Sequence, residues 1–97
     1  MDLTDYIRTV PDFPEPGIMF RDVTTLFAEP RAFKSMIEQF NQRFNGIEID
    51  YIGGIDARGF IIGATLAFTR DIGFVPVRKK GKLPYNTIAE DYALEYG

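Results

Sequence analysis

The sequence predicts an α/β fold whose core is a βαβ unit with a parallel sheet, and three segments indicate it. Residues 47–55 alternate apolar and polar side chains and then become largely apolar, as expected of a strand that enters a sheet covered on both faces. A broad apolar helical run covers residues 61–70, and residues 74–78 have the composition of a second strand. Two strands joined by a helix within about 30 residues are typical of a βαβ unit, whose two following loops lie at one end of the sheet.

The N-terminal part is predicted to contain two helices separated by a proline-rich loop. Helical spacing predicts a short amphipathic helix that Pro11 ends, through Leu3, Tyr6, Ile7 and Val10. Residues 11–17 contain three prolines and form a stiff loop that can hold the next segment in position. A second helix is predicted from Pro30 to Phe44, with Gly46 as its C-terminal cap and a core-facing stripe of Phe33, Met36, Ile37, Phe40 and Phe44.

Composition excludes several classes of function. The 97 residues are 45% hydrophobic, which is enough for a packed core, and they include neither cysteine nor histidine. We therefore expect no disulfide, zinc, haem or iron–sulfur site and no Ser-His or Cys-His nucleophile, so that a general acid or base must be Asp, Glu, Tyr or Lys. A net charge of −3 argues against non-specific nucleic-acid binding. Neither a membrane span nor a signal peptide is expected, and a cytoplasmic location is the default.

The turn after the first strand of the βαβ unit is the leading candidate site, with the sequence Gly54-Ile-Asp-Ala-Arg-Gly-Phe-Ile-Ile-Gly63. Arg58 carries a bidentate cation, Gly59 lets a ligand approach the main chain, and a helix N-terminus presents N–H groups to an anion. The alternative is an ordinary strand-to-helix turn. A Walker loop is excluded because Phe60 and Ile61 stand where Lys and Ser or Thr are needed, and no Gly-x-Gly-x-x-Gly is present.

A second basic element follows the second strand and comprises Arg78, Lys79, Lys80 and Lys82. Such a run of charge is most often only a solvated face. In this chain it lies at the carboxyl end of a predicted parallel strand, where ligands of α/β sheets collect. We therefore expect it to lie near Asp56, Ala57 and Arg58 and to form one anion site with them.

Five motifs in order resemble adenine phosphoribosyltransferase over nearly the whole chain. They are Pro11-Asp-Phe-Pro-x-Pro-Gly17, Phe20-Arg-Asp22, Gly54-Ile-Asp-Ala-Arg-Gly-Phe60, Val77-Arg-Lys-x-Gly-Lys-Leu-Pro84 and Leu94-Glu-Tyr-Gly97. The resemblance implies a type I phosphoribosyltransferase fold with an N-terminal base-binding hood. It also implies conversion of adenine and phosphoribosyl pyrophosphate to AMP and pyrophosphate in purine salvage, with Mg²⁺ bound through phosphoribosyl pyrophosphate, in a cytoplasmic homodimer that binds no nucleic acid and no membrane.

The same resemblance implies roles for individual residues. An adenine hood would comprise Met19, Phe20 and Arg21, with Phe20 stacked on the purine. A pyrophosphate site would comprise Asp56, Ala57, Arg58, Gly59, Arg78, Lys79 and Lys82. Glu95 would move a proton at the adenine ring and Tyr96 would help to close the site, with Arg58 as the third catalytic residue.

One departure separates the chain from the family pattern. The two acids and small-residue loop that would hold the ribose and its 5-phosphate are absent from these residues. We therefore expect a single partial domain truncated before that motif, with an N-terminal helix and hood in residues 1–29, a helix and βαβ core in 30–82 and a flexible catalytic loop in 83–97. The 97 residues alone are expected to lack activity. Two alternatives remain: a non-catalytic purine- or pyrophosphate-binding module, and a plain α/β interaction domain.

Overall fold

The structure is a computed structural model that describes residues 1–84, and these fall into two compact units that divide after Arg43. The first unit contains a 3-10 helix and four further elements: Leu3–Tyr6, then β1 (Arg8–Pro11), β2 (Met19–Asp22), α1 (Thr24–Phe27) and α2 (Pro30–Arg43). The second contains β3 (Tyr51–Ile55), α3 (Arg58–Arg70) and β4 (Gly73–Val77). Most of the predicted catalytic loop, residues 85–97, lies outside the described residues.

The prediction that an N-terminal helix extends to Val10 is wrong beyond Tyr6. After the four-residue 3-10 helix the chain enters β1, which pairs antiparallel with β2 in the register Arg8↔Asp22 to Pro11↔Met19. Two local factors favour the strand: Thr9 and Val10 are β-branched, and the proline at position 11 disfavours the helical conformation at Val10. Pairing with β2 therefore overrides the helical spacing of the apolar residues.

The proline-rich loop connects the two strands of this ribbon. Its Asp12 carboxylate accepts a hydrogen bond from the Gly17 N–H at 2.9 Å, and the Phe13 N–H donates to the Ile18 carbonyl at 3.2 Å. Gly17 has a φ of 88°, in the left-handed region that glycine adopts without steric cost, and the Phe13–Pro14 peptide bond is cis. The two hydrogen bonds, from the Gly17 N–H and from the Phe13 N–H, join the two ends of the loop and so hold the start of β2 against the end of β1.

The helices of the first unit supply its core. Leu26 of α1 and three residues of α2 are buried, namely Ala32, Met36 and Ile37. The rings of Phe27 and Phe33 lie 5.5 Å apart, and Phe33 and Phe40 are half-buried. The prediction of Phe44 as core is wrong, because α2 ends at Arg43 and Phe44 is 42% exposed.

The predicted βαβ unit is confirmed in the second unit. β3 and β4 are parallel, in the register Tyr51↔Gly73 to Ile55↔Val77, and α3 connects them. The strand predicted over 47–55 is shorter at its start, because β4 begins at Gly73 and pairs with residues 51–55 only. α3 ends at Arg70, and its C-cap residue Asp71 has a left-handed φ of 55° and donates its N–H to the carbonyls of Ala67 and Phe68. No helix within residues 1–84 is long and apolar enough to cross a membrane.

Candidate functional site

The turn between β3 and α3 is held by main-chain contacts. The Asp56 N–H donates to the Val77 carbonyl at 3.0 Å, so the pairing with β4 extends one residue past the end of β3. The Asp56–Ala57 peptide bond is cis. Gly59 lies against Gly54, where a Cβ would come within 2.3 Å of the Gly59 carbonyl oxygen. Close packing of the helix start on the strand thus requires glycine at position 54.

The N-terminus of α3 is open to an anion. Ala57 occupies the N-cap position and offers no side-chain hydrogen bond to the first turn of the helix. The first N–H groups of a helix have no partner within the helix, and they favour negative charge. Arg58 is the first residue of α3 and is exposed. The turn therefore combines a helix N-terminus with a cation, as the sequence predicted.

The two basic elements of the second unit meet at the carboxyl ends of β3 and β4. Arg78 Nε donates to Asp56 Oδ2 at 3.2 Å, which confirms that the residue after β4 lies beside the turn after β3. The Arg78 guanidinium also lies over the Phe60 ring, with its Cζ 5.9 Å from the ring centroid. Lys79 and Lys82 follow in an exposed loop, in which the Lys82 N–H donates to the Lys79 carbonyl at 3.1 Å.

The predicted adenine hood is the strand β2. Successive side chains of a strand point to opposite faces, so Met19 and Arg21 share one face and Phe20 lies on the other. Met19 is 55% exposed, and Arg21 is exposed with its guanidinium donating to the Thr9 hydroxyl. Phe20 is half-buried, with its ring 5.2 Å from that of Phe13 in an edge-on arrangement. The hood residues thus lie on a hydrogen-bonded ribbon rather than on a free loop.

Asp22 anchors this ribbon, and the sequence analysis did not identify its role. Its Oδ1 accepts from the Thr24 N–H at 2.9 Å and from the Thr24 hydroxyl at 2.6 Å, while Oδ2 accepts from Nε and Nη2 of Arg8. The pKa of Asp22 is lowered to about 2, first by the bond from the Thr24 hydroxyl and then by Arg8 and the Thr24 N–H. The Asp-x-Thr spacing is typical of an Asx turn, in which the carboxylate accepts from the main chain two residues on, whereas the Arg8 contact depends on the pairing of β1 with β2.

Glu95 and Tyr96, the predicted proton-transfer and closing residues, lie outside the described residues. Within residues 1–84 no group of three or more Asp or Glu side chains is placed to hold a metal ion. The described residues therefore contain the predicted hood and the predicted pyrophosphate turn, each within its own unit.

Several solved structures of similar fold were determined with ligands. Adenine phosphoribosyltransferase from Saccharomyces cerevisiae, in complex with adenine and an imino-altritol bisphosphate, superposes with a TM-score of 0.87 at 41% identity over 98% of this chain and 56% of its own. The Trypanosoma brucei enzyme, in complex with AMP, pyrophosphate and ribose-5-phosphate, has a TM-score of 0.84 at 27% identity over 97% of this chain and 43% of its own.

Other relatives match more closely in sequence or structure. Adenine phosphoribosyltransferase of Dinoroseobacter shibae is 60% identical over 95 residues, which are 98% of this chain and 53% of the relative. The crystal structure of the Thermoanaerobacter pseudethanolicus enzyme has a TM-score of 0.91 at 45% identity and covers 98% of this chain and 55% of its own. No protein-family model matches. The chain spans about half the length of the curated relatives it matches. Over that span it has the α/β fold of the type I phosphoribosyltransferases, and its sequence is similar to those of adenine phosphoribosyltransferases.

Proposed function

We propose that this chain provides the adenine hood and the pyrophosphate turn of an adenine phosphoribosyltransferase. The reaction transfers 5-phosphoribosyl from phosphoribosyl pyrophosphate to adenine, and yields AMP and pyrophosphate in purine salvage. The observation that carries the proposal is the contact between Arg78 and Asp56, which joins the basic segment after β4 to the turn after β3 at the open N-terminus of α3. Side-chain cations and helix N–H groups directed to one place are what a diphosphate needs.

The proposed turn acts mainly through electrostatics. Negative charge leaves the ribose with pyrophosphate as the bond between ribose C1 and the pyrophosphate oxygen breaks and the bond from C1 to adenine forms, and preorganised donors lower the barrier by stabilising that charge. We assign this role to the cation of Arg58, the main-chain groups of residues 56, 57 and 59, and the cations of Arg78, Lys79 and Lys82. The complex of the Trypanosoma brucei enzyme with AMP, pyrophosphate and ribose-5-phosphate supports a site for the same leaving group in this chain.

The proposed adenine site uses Met19, Phe20 and Arg21. A ring on a rigid ribbon can stack on a purine, a contact worth roughly 1–3 kcal/mol per base in nucleic-acid complexes. Main-chain groups of the same strand would read the purine edge. The adenine complex of the Saccharomyces cerevisiae enzyme supports this choice of base. Glu95 is assigned proton transfer at the adenine ring, and Tyr96 closure of the site.

The proposal extends to the whole protein. The protein would take phosphoribosyl pyrophosphate as its Mg²⁺ complex, in which the metal would offset diphosphate charge, and the chain would contribute the cations of the turn. A homodimer in the cytoplasm is the expected form. The 97 residues alone are expected to make no AMP, because the residues that would position the ribose 5-phosphate are not among them, and such positioning can supply on the order of 7–11 kcal/mol of barrier lowering.

A chimera tests the function of the residues in this chain. The 97 residues replace the matching segment of the Dinoroseobacter shibae relative, and AMP formed from adenine, phosphoribosyl pyrophosphate and Mg²⁺ is followed by chromatography. We expect AMP, and we expect Arg58→Ala to lower turnover roughly 10²-fold, because it removes a preorganised donor to the departing anion.

The control is Arg31→Ala, which removes an exposed arginine from α2 in the other unit and should leave turnover unchanged. Melting temperatures of both variants should stay near that of the parent chimera, because both side chains are exposed. Normal turnover of the Arg58→Ala chimera would contradict the assigned role. Binding of pyrophosphate or adenine by a chimera that makes no AMP would instead support a binding module.

A further inference from the structure

We propose that Asp56 and Phe60 are positioning residues that hold the Arg78 guanidinium in the orientation in which it receives a diphosphate. This inference rests on the proposed function and deepens it. It gives the Asp56 side chain a role separate from that of the main-chain groups of the turn. It also assigns a role to Phe60, which the sequence showed only as part of a motif and as a departure from the Walker pattern.

The Asp56 carboxylate fixes one edge of the guanidinium. It accepts from Arg78 Nε at 3.2 Å, and its own main chain is bonded to the residue before Arg78, through the Asp56 N–H and the Val77 carbonyl at 3.0 Å. Both ends of the contact are thus attached to paired strands. An arginine side chain has considerable rotamer freedom. A contact that already restricts the side chain reduces the conformational entropy that is lost when an anion binds.

Phe60 restricts the face of the same guanidinium. Its ring centroid lies 5.9 Å from Arg78 Cζ, within the range of a cation–π contact. Phe60 is in turn packed edge-on against Phe74, with centroids 5.9 Å apart and an interplanar angle of 86°. Phe74 occupies the space beside Gly63 of α3, where a Cβ would come within 2.6 Å of its ring. The platform under Arg78 therefore rests on the interior of the βαβ unit.

The contacts with Asp56 and Phe60 leave the terminal nitrogens of the Arg78 guanidinium for a ligand. A guanidinium carries five N–H donors, and a bidentate pair with phosphate oxygens uses two of them. The hydrogen bond that Arg78 makes with residues 1–84 uses Nε, and its side chain is 33% exposed. Asp56 can therefore orient the side chain without consuming the terminal nitrogens.

Positioning and simple charge addition predict opposite outcomes for Asp56. If only the number of charges mattered, removing a carboxylate beside a diphosphate would strengthen binding by relieving repulsion. If Asp56 positions Arg78, removing its charge frees the guanidinium and weakens binding although the site becomes more positive. The sign of the effect therefore separates the two explanations.

The experiment measures the reverse reaction of the chimera with AMP and pyrophosphate. Asp56→Asn is expected to raise the KM for pyrophosphate about tenfold, because the freed guanidinium must then be ordered when pyrophosphate binds, with a smaller change in the KM for AMP. Phe60→Leu keeps an apolar side chain without the ring and should raise the KM for pyrophosphate roughly threefold. Asp71→Asn is the matched control, because it removes one exposed carboxylate at the other end of α3, and asparagine tolerates the left-handed conformation found there.

The variants should also lose their effects when Arg78 is changed. In an Arg78→Ala background, Asp56→Asn and Phe60→Leu are expected to leave the KM for pyrophosphate unchanged, because the group that they position is gone. Effects that persist in that background, or an Asp56→Asn chimera that binds pyrophosphate as tightly as the Asp71→Asn control or more tightly, would overturn this inference alone. A chimera that makes no AMP with the unsubstituted residues would overturn the proposed function and the inference with it.

Discussion

Two arginine–aspartate pairs within residues 1–84 have the same chemistry and different surroundings. In the first unit Asp22 accepts four hydrogen bonds, and its side chain is 11% exposed while that of its partner Arg8 is 61% exposed. In the second unit the Asp56 carboxylate accepts one hydrogen bond from Arg78, and the two side chains are similarly exposed at 31% and 33%. In the first pair the carboxylate has four donors. In the second pair Arg78 bonds Asp56 through Nε, which leaves its terminal nitrogens for a ligand.

The difference indicates what each pair contributes. A carboxylate with all its bonds made within the fold stabilises the fold, and its loss would remove four hydrogen bonds at once, two of them from a charged donor. A partly exposed ion pair contributes little to stability, because solvent screens it and ordering two side chains costs entropy. We therefore expect the Arg8–Asp22 pair to maintain the ribbon that carries the hood, and the Asp56–Arg78 pair to serve ligand binding.

The largest expected effect is on stability. Asp22→Asn in the 97-residue chain should lower the melting temperature by about 10 °C, whereas Asp56→Asn should change it by less than about 4 °C. Asp2→Asn is the control for the local cap, since Asp2 makes the same pair of bonds to Thr4, at 3.0 and 2.7 Å, without an arginine and at an exposed position. Thermal scans by circular dichroism measure all three.

Equal melting temperatures for Asp22→Asn and Asp2→Asn would contradict the comparison. They would mean that the bonds to Thr24 and Thr4 account for the whole effect and that the Arg8 contact adds nothing.

A smaller effect is expected from changing each arginine to lysine. Lysine keeps the charge but lacks the planar fork. Arg8→Lys should therefore lower the melting temperature by about 5 °C, because two bonds to Asp22 Oδ2 cannot both be replaced. Arg78→Lys should leave the melting temperature unchanged and raise the KM of the chimera for pyrophosphate. If both substitutions affected stability alike, the two pairs would be equivalent and the division of roles would be wrong.

Sequence reasoning predicted the geometry of the turn after β3 more completely than that of the β1–β2 ribbon, for a physical reason. Arg78 and Asp56 were expected to be neighbours because the carboxyl ends of parallel strands joined by a helix must meet at one edge, and periodicity locates such strands. The Arg8–Asp22 pair depends on the antiparallel pairing of β1 with β2, and the apolar residues of the β1 segment fit helical spacing equally well. The contact of Phe60 with Arg78 was not predicted either, because an apolar residue in the first turn of α3 is equally compatible with simple packing.

The finest test of the comparison is the pH dependence of the Asp22 effect. The pKa of Asp22 in the folded chain is about 2, below its ordinary value of 3.8. The folded state therefore stabilises the ionised form of Asp22 more than the unfolded state does. A lowered pKa contributes stability that is fully present above about pH 4 and is lost as the pH falls through about 2. The difference in melting temperature between the parent chain and Asp22→Asn should therefore be constant from pH 7 to about pH 5 and should shrink between about pH 4 and pH 2. A difference that stays constant down to pH 2 would show that the asparagine disturbs packing rather than removing the charge that Thr24 and Arg8 bind.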